Sequence, residues 1–284
     1  MGGRIAIACV VGVWLRRTTT TATKPRMGII YRDHADAEYA GATSYPSNHR
    51  LYDFVVYEIN CRFGWGVRRR QIEALYLKFA GASDSHCEVG LASPSFVLAS
   101  VPKHCAVLLV DVDSDWLEKG KATMSSLGYT SVEILRHDVT APVQPWRTFT
   151  MEDAPRHRSL GINFVFHCIP GRLDISSKGM AFQHLKVLLE PDGVLFGSTI
   201  LGDQHMGLHT AFGRIVMNKF NNSGVFGNRL DNVEDLRASL EHAFRRYEVA
   251  LVGAVAVFAA CDDPDKDLRI PLGQSANGCC WRRV

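Results

Sequence analysis

Short apolar runs recur between residues 85 and 261, and helix-like patterns alternate with them until the end, where two runs follow each other with only Gly253 between. No other feature constrains the fold as tightly. Strands that alternate with helices pair in parallel, and the helices cover both faces of the sheet. The first five runs are "HCEVG", "AVLLVDVD" (106–113), "SVEILRHDV" (131–139), "LGINFVF" (160–166) and "VLFGSTIL" (194–201). The last two lie in "YEVALVGAVAVFAAC" (247–261), and a connection that short permits only antiparallel pairing. The expected fold is α/β: a doubly wound, seven-stranded, mostly parallel sheet with one antiparallel edge strand.

The helical patterns fill the gaps. "VRRRQIEALYLKFAG" (67–81) is amphipathic and stops at Gly81. Ser114 reads as the N-cap of a helix that runs through Leu127 and ends at Gly128. Residues 176–189 place Ala181, Phe182, Leu185, Leu188 and Leu189 on one helical face, and "PDG" then turns the chain into the fifth strand. "DNVEDLRASLEHAF" (231–244) carries a good cap and turns Val233, Leu236, Leu240 and Phe244 inward. The aromatic segment "LYDFVVYEINCRFGWG" (51–66) and the helix after it form a small N-terminal helical cap.

A chain of 284 residues suits one large domain with a small cap. The expected divisions are a leader or gene-model extension over 1–26, a cap or lid over 27–81, the α/β domain over 82–261 and a tail over 262–284. Six basic residues and no acid in residues 1–32 carry +6 of a formal net charge of +3, so the remainder is mildly acidic at −3. No broad basic face suggests nucleic acid. The apolar run at residues 5–15 is too short to span a bilayer, so stable membrane insertion is not expected. It suits a signal-peptide core or a mitochondrial-type leader, and a translation start at Met27 stays open beside both. The eight cysteines include no CxxC pair, no HExxH occurs, and metal ligation is not indicated. Cys87, Cys168 and Cys261 sit in apolar runs as small hydrophobes, which fits a reducing compartment, cytoplasmic or else mitochondrial. "NNS" at residues 221–223 is a glycosylation sequon that matters only in a secreted chain.

In an open α/β sheet, ligands bind at the carboxyl ends of the strands, so the residues ending each strand matter most. The first strand ends in Glu88-Val89-Gly90, where glycine permits a sharp turn and close approach of a ligand to the backbone. The second ends at Asp111, 21 residues after Gly90, at the spacing of a carboxylate that grips a ribose diol. The third ends at Asp138, whose carboxylate can accept from an adenine amino group while a neighbouring N–H donates to the ring. The fourth ends at Asn163, followed by "FVFHCIPG".

The series "HCEVGLASPSF", "VLLVDVDSDWL", "VEILRHDVTAPV", "GINFVFHCIPG", "LLEPDGVLFGSTILG" and "NNSGVFGN" resembles the class I S-adenosylmethionine-dependent methyltransferases, over about residues 50–261. Small-molecule methyltransferases of fungal and bacterial specialised metabolism are the nearest in pattern. The resemblance implies a Rossmann-like domain that binds S-adenosyl-L-methionine and transfers its methyl group to a small-molecule metabolite. By position it implies that Glu88 and Gly90 belong to the cofactor loop, with Ala92 at its second glycine. Asp111 and Val112 would take the ribose, Asp138 and Val139 the adenine, and Asn163 the methionine end. Tyr52 and Trp65 match positions in the cap that closes over the site.

The loop departs from the family pattern. Acid-x-Gly-x-Gly-x-Gly becomes Glu88-Val89-Gly90-Leu91-Ala92-Ser93-Pro94. Ala92 adds a methyl group where ligand and backbone touch, and Pro94 fixes its own φ, removes an N–H and holds Ser93 extended. Proline suits the first turn of a helix, which leaves the loop a modified path around the cofactor. The acid that usually precedes the fourth strand is replaced by His157-Arg158-Ser159.

Methyl transfer needs alignment of the nucleophile, exclusion of water and, for a protonated nucleophile, a base. His167 is the candidate base, near the end of the fourth strand. His205, His209, Asn222 and Asn228 lie between the fifth strand and the last helix, the segment that faces the substrate in this fold. Two other readings compete. One keeps the fold but abandons methylation, as a rearrangement catalyst or a binding partner. The other is a nicotinamide-dependent dehydrogenase, disfavoured by the loop and because none of the eight tyrosines has a lysine four residues later. Oligomeric state has no signature in the sequence.

Overall fold

The computed structural model of the chain describes residues 53–91, 94–142, 156–272 and 280–283. Eight strands form one sheet in the order β3-β2-β1-β4-β5-β7-β6-β8. They are β1 (Ser85–Val89), β2 (Ala106–Asp111), β3 (Val132–Arg136), β4 (His157–Asn163), β5 (Leu189–Ile200), β6 (Arg246–Val252), β7 (Val255–Cys261) and β8 (Cys280–Arg283). The first five pair in parallel. The helices are α1 (Arg69–Phe79), α2 (Ser95–Ser100), α3 (Ser114–Ser126), α4 (Ala181–Lys186), α5 (Ala211–Asn222) and α6 (Val233–Ala243). Buried side chains form an apolar cluster on each face of the sheet, as expected for a doubly wound fold.

The architecture matches the sequence expectation, with two corrections at the antiparallel side. Two strands run against the others: β8 forms the expected antiparallel edge, and β7 lies inside the sheet between β5 and β6. The β6–β7 hairpin folds back so that its second strand meets β5 and its first strand lies outside. The sheet also has eight strands rather than seven, because Cys280–Arg283 in the tail pairs with β6. Arg282 meets the buried Glu248 carboxylate at 2.5 Å, which anchors this short edge strand.

Three local expectations change. Residues 176–189 are not one helix but a 3₁₀ turn (Lys178–Met180) followed by the short α4. The side chain of Lys178 turns inward to the carbonyls of Phe166 and Ile169, and Gly179 packs against the Asp174 carbonyl. The Pro-Asp-Gly segment lies within β5, whose first residue, Leu189, already pairs with His157. Asp113, not Ser114, caps α3, accepting from the N–H groups of Asp115 and Trp116. Conversely, α6 has the inward residues its periodicity predicts, all buried, with Asn232 as its cap.

Residues Phe54–Trp65 form a π-helical segment that ends at Gly66 in the left-handed region (φ 76°). It is stapled to the sheet, since Ala254 N–H donates to the Trp65 carbonyl at 2.8 Å. It is equally close to α5: a Cβ on Gly213 would collide with the carbonyl of Gly64. The Thr210 hydroxyl donates to the Phe63 carbonyl at 2.6 Å and caps α5 through Gly213 N–H. Among the described residues, no helix is long and apolar enough to cross a membrane.

Candidate active site

The loops after β1, β2, β3, β4 and β5 meet at the carboxyl ends of the parallel strands, where open α/β sheets bind ligands. Gly90 follows β1 with φ at +78°, and its N–H donates to the Val110 carbonyl at 2.8 Å. An added Cβ would run into Val165 after β4, so only glycine lets these two loops approach. The next N–H, on Leu91, donates to Asp111 Oδ2 at 3.0 Å, and Asp113 N–H donates to Asp111 Oδ1 at 3.0 Å. Burial raises the Asp111 carboxyl above the usual range, and these backbone donors pull it back. Val112 continues this turn, and its carbonyl accepts from Arg136. Ala92 and Tyr52 lie outside the described residues. Pro94 opens α2, its carbonyl accepting from Leu98 N–H at 2.8 Å. A missing N–H matters little at a helix start, where it has no intrahelical partner.

Asp138 shapes the turn after β3 by accepting from both the N–H (2.9 Å) and the hydroxyl (2.7 Å) of Thr140. Val139 is buried, and its carbonyl meets His184 Nδ1 at 3.1 Å.

Glu88 and Asn163 belong to a buried polar chain on the α1-covered face. His86 Nδ1 meets Ser159 Oγ at 2.9 Å, and His86 Nε2 meets Glu88 Oε2 at 3.0 Å. The Tyr76 hydroxyl donates to Glu88 Oε1 at 2.5 Å and accepts from Asn163 Nδ2 at 3.1 Å. Asn163 Oδ1 accepts from the Ser198 hydroxyl at 2.9 Å. Gly161 leaves room for the Glu88 carboxylate, which a Cβ there would crowd. Glu88 thus supports the loop from beneath, with both oxygens engaged by side chains of the protein. Sequence reasoning singled out Glu88 but not Tyr76, whose hydroxyl looks like an ordinary member of an amphipathic helix.

His167 follows β4 and is buried, with its ring edge-on to Phe226 at 4.4 Å. Burial pushes its pKa down to about 3, and Lys178 adds to the shift, so the imidazole is neutral. Its Nδ1 is buried without a hydrogen-bond partner. Phe226 also contacts Trp65 at 6.2 Å, and Trp65 stands edge-on to His209 at 5.5 Å. Trp65 is 2% exposed, so this cap residue is part of the core. Phe164, just past Asn163, has φ at 57°, a left-handed conformation that costs a bulky residue on the order of 1–3 kcal/mol. No sequence signal marks it, since aromatic residues do not advertise a positive φ.

Lys178 and Asp231, each fully buried, form an ion pair at 2.8 Å. The ammonium also donates to the Ile169 carbonyl at 2.7 Å and the Phe166 carbonyl at 2.9 Å. It therefore clamps the turn that carries His167 to the segment after Phe226. Burial drives the Asp231 carboxyl up to about 7 and the Lys178 amine down, and their mutual attraction opposes both shifts. A lysine in an amphipathic pattern reads as solvent-facing, so this clamp was not legible.

All four candidates in the segment after β5 have structural partners, His209 Nε2 meeting the Leu201 carbonyl at 3.0 Å. His205 Nε2 accepts from Val233 N–H at 3.2 Å and so caps α6, and Asn222 Oδ1 accepts from the exposed Arg229 at 3.0 Å. Asn228 is fully buried, donating to the Ile200 carbonyl at 2.9 Å. The sequon asparagine, Asn221, spends its amide on the Met217 carbonyl and Asn228 Oδ1, each at 3.0 Å. Among the described residues, no group of three or more His, Cys, Asp or Glu side chains could hold a metal ion. Among the described residues, Cys61, Cys87, Cys105, Cys168 and Cys261 are free thiols, and burial raises the first four in pKa.

These residues fit S-adenosylmethionine. A carboxylate oriented by two backbone donors at the end of β2 suits a ribose diol, and the Cβ-free Gly90 beside it suits close backbone contact. No protein-family model matches the sequence. Demethylluteothin O-methyltransferase from Streptomyces thioluteus is 30% identical over 253 residues, covering 85% of this chain and 98% of its own. Methyltransferase verB from Penicillium polonicum is 32% identical over 226 residues, covering 74% and 92%. Among solved structures, an O-methyltransferase family protein from Burkholderia thailandensis aligns with a TM-score of 0.50 at 10% identity, over 77% of this chain and 60% of that one, and shows the same fold.

Sheet order, site and sequence together define a class I methyltransferase. The chain belongs to the S-adenosylmethionine-dependent methyltransferases of specialised metabolism, and its activity is methyl transfer to a small molecule. When bound, S-adenosylmethionine supplies an electrophilic methyl group on a sulfonium. The protein has to orient it, exclude water and receive a proton.

Proposed function

We propose that this enzyme methylates an oxygen of a small, largely apolar metabolite. Asp111 and Val112 hold the cofactor ribose, Asp138 and Val139 its adenine, and Gly90 and Ala92 the loop beneath its methionine end. Glu88 and Asn163 act in this reading through the polar chain that stiffens that loop. Trp65, with Tyr52, His205 and Asn222, belongs to the acceptor side, and His167 is the base candidate. The supporting observation is the Leu91–Asp111–Asp113 arrangement, a half-buried carboxylate at the end of β2 that accepts from two backbone N–H groups. Oxygen as the methylated atom is supported by the similarity to demethylluteothin O-methyltransferase. The free, mostly buried thiols support a reducing, cytoplasmic setting, and the mildly acidic body supports an enzyme without a nucleic-acid partner.

Isothermal calorimetry with S-adenosylmethionine and its demethylated product tests the cofactor reading, with binding expected for both. Absence of heat at millimolar ligand sinks it. Mass spectrometry of hydroxylated, carboxylated and amine acceptors then tests the oxygen assignment. A product methylated on nitrogen or carbon overturns it.

A further inference from the structure

Helix α5 turns a row of exposed side chains outward at helical spacing: Ala211, Arg214, Ile215, Asn218 and Asn222. Val216 and Met217 are buried in the core on its other side, so the row is the outer face of the helix. Apolar residues stand along this face and at both ends of it. Ile215, at its middle, is 65% exposed. At its start are Leu208, 43% exposed, and Phe63, 55% exposed, whose carbonyl accepts from the Thr210 hydroxyl at 2.6 Å. At its end Arg229 donates to Asn218 and Asn222, and the next residue, Leu230, is 62% exposed. Single exposed apolar side chains are ordinary, but a row of them along one helix marks an interaction site.

The charge on this strip is positive. Arg62 lies over the Phe63 ring at 5.1 Å, and among the described residues neither Arg62 nor Arg214 makes an ion pair. Glu58 acts on Arg69 and Cys61 instead, and Asp203 is taken by Arg229 at 3.4 Å. A second copy of the chain would set these cations against their own kind. Like charge also keeps off the N-terminal segment, which has six basic residues and no acid over residues 1–32. Area argues against another protein. A helix of 12 residues, rising 1.5 Å each and about 10 Å wide, presents a strip of about 200 Å², against roughly 800 Å² per partner in a standard interface. A lipid surface needs no matching shape, only apolar side chains to enter it and cations at headgroup level.

We propose that α5, with Arg62, Phe63, Leu208 and Leu230, docks on an anionic lipid surface. Phe63 and Ile215 enter the boundary between headgroups and acyl chains, and Arg62 and Arg214 stay among the headgroups. The protein lies on the bilayer without crossing it. The segment that carries His205 and Asn222 then faces the bilayer, where apolar acceptors dissolve. The docking does not rest on the methyl-transfer reading, and its test uses no cofactor.

The test is co-sedimentation of the full chain with large unilamellar vesicles. Phosphatidylcholine vesicles with about 30% phosphatidylserine are expected to bind it, pure phosphatidylcholine roughly fivefold less, and added salt to narrow the difference. Ile215→Asp with Phe63→Ser, and separately Arg62→Gln with Arg214→Gln, are each expected to lower the affinity about tenfold. Leu127→Ser, at an exposed apolar residue just past α3, is the control and is expected to change it less than twofold. In the unmutated protein, amide hydrogen exchange over residues 211–222 is expected to slow when the anionic vesicles are added. This second measurement decides the matter if a variant does not fold. Binding that both paired variants leave unchanged belongs to the basic N-terminal segment and overturns the proposal. Equal binding to the two vesicle types, no binding to either, or unslowed exchange overturns it too. So does a concentration-dependent dimer in sedimentation velocity that Ile215→Asp dissociates.

Discussion

The hydroxyl of Tyr76 and the carboxylate of Glu88 share a 2.5 Å hydrogen bond inside the α1-covered face of the sheet. The bond ties the cap helix to the strand that leads into the cofactor loop. Tyr76→Phe leaves one Glu88 oxygen and the Asn163 amide short of a partner. We expect a loss of about 1.5–3 kcal/mol, the range for hydrogen bonds to charged groups, read as a lower urea midpoint with an unchanged slope.

Asp111→Asn replaces an acceptor oxygen with an NH₂ that must face either Leu91 N–H or Asp113 N–H. Cofactor affinity is expected to fall by about 1–3 kcal/mol in calorimetry while the fold survives. An unchanged affinity would remove Asp111 from the binding site.

Lys178→Met strands the Asp231 carboxylate in the interior. Breaking one side of a buried pair costs about 3–5 kcal/mol, so the variant should unfold at far lower denaturant. Replacing both, as Lys178→Met with Asp231→Leu, should recover most of that loss, which a double-mutant cycle measures.

Stability should fall on acidification before most carboxylates titrate. Burial, with a neighbouring charge adding to it in each case, holds His157 at about 4 and His167 at about 3, against 6.5 for a free histidine. Above about pH 6.5 neither state binds these protons. Below it the unfolded chain takes them up and the native chain does not, until the pH reaches the native values. Each histidine therefore lowers stability by up to about 1.4 kcal/mol per pH unit in that window. Urea unfolding at several pH values checks the slope, and His157→Gln should remove one histidine's share.

Pro94→Ala is expected to change stability by less than about 1 kcal/mol and leave cofactor affinity intact, because Pro94 occupies a helix start. Gly90→Ala should damage both, since its φ of +78° and its contact with Val165 exclude a side chain. Thermal melts and calorimetry on the pair separate a tolerated departure in the loop from an indispensable glycine.

The parallel half of the sheet was legible because each strand is a continuous apolar run with turn signals around it. The place of β7 was not, because a hairpin fixes the direction of two strands but not which of them meets β5. Strand β8 was invisible for a different reason: four residues, two of them arginine, pair only because Glu248 waits in β6. The positions of Gly90 and Asp111 at the ends of β1 and β2 were legible from their spacing and from the resemblance to a family. The Lys178 clamp and the Phe164 backbone depend on contacts between distant segments, which no local pattern encodes.

The insertion of β7 between β5 and β6 has a consequence for how the chain is made. During synthesis β5 emerges well before residues 255–261, and its open edge can be filled only by a strand that does not yet exist. The nascent sheet therefore carries an exposed, largely apolar edge until almost the whole chain has left the ribosome. Such an edge recruits other strands, so truncation ahead of Val255 should yield an aggregating product rather than a smaller folded one.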